Sequence, residues 1–139
     1  MTIFDEFDSV KYDSFSTLPL PEFDTLKHSV YVTDKTWKYM YVNKFVEDNL
    51  KIVRENLIGQ NMWDYFPALA MDPSFRQLKE NTENHKTTQL ITVSPINQKR
   101  LHITGYPLQD CYLFFSGIMP DKNNLLLELR KELPKAEYC

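Results

Sequence analysis

A chain of 139 residues with 42% hydrophobic and 25% charged side chains has the size and balance of one folded domain, not of a disordered segment. Its 16 basic side chains are scattered and outnumbered by 19 acidic ones, for a net charge of −3, so no nucleic-acid partner is expected. No apolar run approaches the roughly 18 residues of a membrane span, and the acidic start (Asp5, Glu6, Asp8) is unlike a signal peptide, so a cytoplasmic chain without membrane contact is expected.

Residues 1–28 read as a leader. Ile3, Phe4, Phe7 and Val10 recur at helical spacing among charged residues, which predicts an amphipathic helix. Leu18-Pro19-Leu20-Pro21 stops it, because proline lacks an N–H and restricts its neighbour. A short turn or helix over residues 22–27 leads into the core, which spans residues 29–119. Residues 29–33 and 38–42 are β-branched and aromatic and flank the turn residues Asp34-Lys35-Thr36, which predicts a hairpin. Asn43 is placed to cap a helix carrying Phe45, Val46, Leu50 and Val53. Leu57-Ile58-Gly59-Gln60 interrupts that pattern. Residues 61–66 predict one helical turn closed by Pro67. Asp72-Pro73 then opens a helix with Phe75 and Leu78 on one face. Three strands follow, over residues 87–93, 100–106 and 111–117, each break carrying turn residues. Residues 120–139 predict a terminal helix with a Leu126, Leu129 and Leu133 stripe. Two strands, short helices and three strands make an α+β layout around one antiparallel sheet.

In this order the residues resemble a known family. The Val32-Thr33-Asp34 and Tyr41-Val42-Asn43 hairpin is similar to the first two strands of PAS domains. Leu57-Ile58-Gly59-Gln60-Asn61-Met62-Trp63-Asp64-Tyr65-Phe66-Pro67 resembles the family's L-x-G-x-N-x-W-x-x-F-P segment. Tyr106-Pro107, a short turn and the apolar strand after it resemble its closing hairpin. The resemblance implies a five-stranded antiparallel sheet with short helices across one face, extended here by N- and C-terminal helices. Three departures stand out. Trp37 and Lys38 occupy the hairpin turn where such domains often have glycine, and Arg100 replaces a frequent Trp. Gly117-Ile118-Met119 replaces the Asp-Ile-Thr triplet that couples the sheet to an exit helix in the family, so the likeness does not extend to that coupling.

The resemblance implies a crevice between helices and sheet, with Trp63, Phe66, Phe75, Leu78, Ile91, Leu101, Ile103, Leu113 and Phe115 as its lining. With so many large rings, that lining reads either as plain packed core or as a ligand wall. Flavin adduct chemistry is not expected, since Met62 stands where the flavin-binding branch carries its reactive cysteine. Haem is not expected either. His85 sits at the polar end of a helix, His102 shares a strand face with Arg100, Thr104 and Tyr106, opposite the apolar set, and His28 precedes the first strand. Cys111 and Cys139 form no CxxC pair, the His residues have no metal-ligand spacing, and no catalytic motif is present, so neither a metal site nor an enzyme is expected.

The last strand is apolar on both faces, with Leu113/Phe115 on one and Tyr112/Phe114 on the other. One face meets the helices, and the other needs a second cover. The Phe4/Phe7 leader supplies it, from its own chain or from a partner. Together with Leu126 and Leu129 this predicts a homodimer through the outer face of the sheet. The expected function is a sensory module that binds a small ligand or a partner protein and signals through dimerisation. A ligand-free dimerisation adaptor and a haem-type gas or redox sensor are the alternatives.

Overall fold

The computed structural model describes residues 7, 8 and 10–119. Strands β1 (Ser29–Thr33) and β2 (Tyr39–Val42) form the predicted hairpin, and β3 (Thr88–Val93), β4 (Arg100–Pro107) and β5 (Tyr112–Met119) follow late in the chain. They make one five-stranded sheet in the order β2-β1-β5-β4-β3, with every neighbouring pair antiparallel. The first and last strands in sequence therefore meet at its centre.

The hairpin turn is built on Asp34, whose carboxylate accepts from the Thr36 and Lys38 backbone N–H groups at 2.8 and 3.0 Å. Trp37 closes it at φ 69°, in left-handed backbone that bulky residues rarely adopt. Its ring is buried among Trp63, Tyr112 and Phe114, and its Nε1 donates to Glu83 at 2.8 Å. Those contacts hold the strained turn. The departure from glycine is thus one of residue, while the backbone keeps the conformation glycine favours.

Between β2 and β3 run α2 (Lys44–Leu50), α3 (Arg54–Leu57), α4 (Met62–Tyr65), α5 (Pro67–Met71) and α6 (Pro73–Glu83), and α1 (Leu20–Phe23) precedes the sheet. The caps follow the sequence. Asn43 accepts from Val46, Asn61 from Trp63 and Asp64, and Asp72 from Phe75. Two helices were not foreseen, α3 and α5. Pro67 opens α5 instead of only closing the turn before it, because the first position of a helix needs no N–H partner. Likewise the prolines at 19 and 21 begin α1.

The expected leader helix lies largely outside the described residues, which begin at residues 7 and 8 and resume at residue 10. Asp8 accepts from the Val10 and Lys11 N–H groups through its side chain and from Tyr12 through its carbonyl, which leaves a single turn with Val10 exposed. Phe4 and the Leu126, Leu129 and Leu133 stripe lie outside the described residues.

Two apolar layers sandwich the sheet. The helix side packs Trp37, Val42, Leu57, Met62, Leu78, Ile103, Tyr112 and Phe114, among others. The outer side packs Leu18, Phe23, Val30, Val32, Tyr106, Leu113 and Phe115, with Phe7, Tyr12 and Phe15 against them. The expected phase of β5 is therefore reversed: Leu113 and Phe115 face the leader, while Tyr112 and Phe114 face the helices. Alternation in β5 alone carried no phase, because both faces are large and apolar. Pairing decides it. Gly105 lies opposite Phe114 on β4, and a Cβ there would stand 2.9 Å from the Phe114 ring, so the absent side chain makes the space that the ring fills.

A polar network ties the leader to the helices. The Asp24 carboxylate accepts from the Tyr41 hydroxyl at 2.8 Å, the Lys44 N–H at 2.9 Å and the Arg54 guanidinium at 3.3 Å, and Arg54 also holds Glu47. Burial raises the Asp24 carboxyl, but the hydrogen bonds from Tyr41, Arg54 and Lys44 outweigh it and hold the group below its usual 3.8. A depressed folded-state value gives stability that is present above about 3.8 and is lost as the pH falls through the folded value. Urea midpoints measured from pH 6 to pH 2.5 should therefore fall more steeply for the wild type than for Asp24→Asn. Parallel curves would show that this network contributes nothing to acid stability.

Candidate functional site

On the helix side, sheet and helices do not close completely. A cavity of about 70 Å³ lies between them, walled by Tyr31 of β1, Tyr39 of β2, Leu101 of β4 and Ser116 of β5 below, and by residues of α2 through α6 above. The segment joining β3 to β4 contributes Ser94, Ile96 and Asn97. Ile96 is exposed and Asn49 and Asn97 are half-exposed, so this end is the solvent side. The volume is about half of the roughly 150 Å³ that takes up benzene in an engineered apolar cavity, which suits a body of a few heavy atoms.

Of the expected lining, Phe66, Phe75 and Leu101 reach this cavity. Trp63, Leu78 and Ile103 belong to the same layer but pack within it, Trp63 edge-on to Trp37 with its Nε1 buried and unpartnered. Leu113 and Phe115 are on the opposite face. Ile91 is also misplaced: Leu90 pairs with Ile103 and packs inward, which turns Ile91 to the outer face at 55% exposure. Tyr112 and Phe114, expected on an outer association surface, are helix-side core. Phe7 does cover the outer face, from its own chain, with its ring 5.4 Å from Phe115 and 4.8 Å from Tyr106.

Sequence reasoning missed Tyr31, Tyr39, Leu57 and Ser116. Val30/Val32 and Tyr31/Thr33 offered no polar contrast from which to choose a face. Met62 did carry a signal, since the position that resembles the adduct-forming one lines the cavity. Cys111 lies in the outer layer, where burial and the neighbouring Asp110 push its thiol up to about 12. His85 is exposed and His102 lies on the outer face beside Ile91, and the described lining contains no His or Cys.

The cavity's polar groups are all neutral. Asn49 accepts from Lys99 at 3.2 Å, Ser94 accepts from the Ile96 N–H, and Asn97 from the Lys99 N–H. Tyr31 and Tyr39 bring two phenol side chains into the wall. Burial raises both phenols above their ordinary range, Tyr39 also through Tyr31 and Tyr65, so both remain O–H donors.

No protein-family model and no curated protein matches the sequence. Solved structures do match. The chain is similar to the PAS domain of BvgS from Bordetella pertussis, with a TM-score of 0.58 and 13% identity over 81% of this chain and 91% of that one. The photoactive yellow protein domain of the sensor histidine kinase Ppr from Rhodospirillum centenum gives 0.57 and 16% over 73% and 94%. The RpfR quorum-sensing receptor PAS domain of Cronobacter turicensis, solved in complex with BDSF and with C12:0, gives 0.56 and 15% over 68% and 96%. This chain has the PAS fold. The cavity lies between the sheet and the helices α2 to α6. Among the described residues no helix is long and apolar enough to cross a membrane, and no cluster of His, Cys, Asp and Glu has the form of a metal site.

Proposed function

We propose that this chain is a sensory PAS module whose input is a small molecule held between helices α2–α6 and the sheet. The observation that carries this is the cavity itself, an apolar space entered from one side, with a few convergent polar groups. The RpfR domain, which shares the fold, was solved with small molecules bound. The chain's fold supplies the receptor, and its output passes to another protein or through association.

The outer face favours association. The leader covers Leu113 and Phe115, but Ile91 and Val93 of the edge strand β3 remain 55% and 49% exposed on that face. Two copies meeting there would bury both. A homodimer through this strip is part of the proposal.

One preparation tests both. Denatured protein analysed by mass spectrometry should release a defined compound, with no Soret or flavin band beforehand, and Ser116→Leu, which fills the cavity wall, should lose it. Light scattering at tens of micromolar should report twice the 16.5 kDa chain mass. A 16.5 kDa species removes the dimer. Protein that carries no compound and takes up no small probe leaves the ligand-free adaptor, and a Soret band leaves the haem-type sensor.

A further inference from the structure

Resting on the reading of the cavity as a ligand site, we infer that its ligand is uncharged: a body of a few heavy atoms carrying one hydroxyl, carbonyl or amide group. None of the sixteen described residues that line the cavity is Asp, Glu, Lys, Arg or His. An ion taken from water into such a space loses its hydration and finds no counter-charge, and an isolated buried charge is among the costliest groups a protein can hold. A carboxylate, a phosphate or an ammonium group is therefore excluded from the interior.

The wall is not simply greasy. Tyr31 and Tyr39 both line the cavity, and their rings meet there edge-on at 6.2 Å. A phenol O–H at a cavity wall can donate to an acceptor on whatever occupies the space. Both phenols donate, so the complementary group is an acceptor, and the uncharged lining around it favours a neutral one. Ser116 adds a third hydroxyl to the same wall. The apolar remainder of the ligand then contacts Leu57, Met62, Phe75 and Leu101.

The one competing feature is at the entrance, where the Lys99 ammonium donates to Asn49. An anion recognised there would bind through Lys99 and would leave the interior unoccupied.

The test is a set of matched four-carbon probes, 1-butanol, butyrate and butylammonium, titrated into the ¹⁵N-labelled full chain and followed by amide shifts. Butanol should give saturable shifts at Tyr31, Leu57, Leu101 and Ser116, with the two ions at least tenfold weaker. Tyr31→Phe and Tyr39→Phe, which keep the rings, should each weaken butanol about three- to tenfold, the worth of a hydrogen bond to a neutral group. Butyrate that binds as well as butanol with the same shifts overturns the charge inference while the ligand-site reading survives. The same result erased by Lys99→Ala assigns the site to the rim and overturns it too. Butanol binding that is unchanged in both Tyr→Phe variants overturns the role given to the phenols. If none of the three probes shifts these amides, the ligand-site reading itself fails and takes this inference with it.

Discussion

Asn43→Ala is expected to lower the unfolding free energy by about 2–4 kcal/mol, since it removes four buried or part-buried hydrogen bonds that contribute roughly 0.5–1.5 kcal/mol each. Asn43 has no solvent exposure and works at all of its positions. Its Oδ1 accepts from the Val30 N–H at 3.1 Å and the Val46 N–H at 3.2 Å, and its Nδ2 donates to the Phe23 and His28 carbonyls at 2.9 and 2.8 Å. One side chain thus joins the end of α1, the entry to β1 and the start of α2. Alanine removes all four bonds, although the Val46 N–H keeps the Asn43 carbonyl at 3.1 Å and the Phe23 carbonyl keeps the Leu26 N–H at 3.2 Å. Against a typical total of about 5–15 kcal/mol, that is a large share of the stability of the domain. Asn43→Asp separates the halves of the effect, because it keeps the two accepted bonds and loses the two donated ones. Urea denaturation should rank wild type above Asp and Ala. An Asp variant as stable as wild type would show that the bonds to Phe23 and His28 contribute little and that Asn43 serves only as a helix cap.

Phe115→Ala should cost about 3–5 kcal/mol, the usual range for a buried aromatic, and so should Phe114→Ala. Both rings are fully buried, but in different layers, and the two variants should fail differently. Phe115 touches Phe7, Phe23 and Tyr106, so its loss should loosen the leader and expose the chain near residues 7–23 to limited proteolysis. Phe114 stacks on Tyr31 at 5.0 Å and on Trp37 at 5.7 Å, so its loss opens a void beside the cavity wall and should change small-probe uptake. Leader cleavage in the Phe114 variant with an intact leader in the Phe115 variant would mean that the phase of β5 is the opposite of that described. A loss below about 1 kcal/mol in either would remove that ring from the core.

The elements of this fold were legible in the chain because local chemistry specifies them. Asp34 forms the first turn and Asn43, Asn61 and Asp72 start helices through bonds to residues two to four positions away, so the local sequence carries their meaning. The apolar set of β4, Leu101 and Ile103, found the helix side because its opposite face is polar enough to contrast. The Leu57 to Pro67 stretch pointed to the right fold, although Met62 within it, which lines the cavity, was not among the expected lining.

Which face of β5 meets which layer was decided by tertiary structure alone. Tyr112, Leu113, Phe114 and Phe115 give no contrast between faces, and the choice fell to a partner strand in which Gly105 leaves room for one ring. The same ambiguity hid Tyr31 and sent Ile91 to the wrong side. Tyr31 and Tyr39 share the cavity wall only because the pairing of the hairpin brings their rings to 6.2 Å. Alternation along a strand records burial only where its two sides differ in polarity. Where both sides are dry, the volumes of neighbouring strands choose, and that information is distributed over residues far apart in the chain.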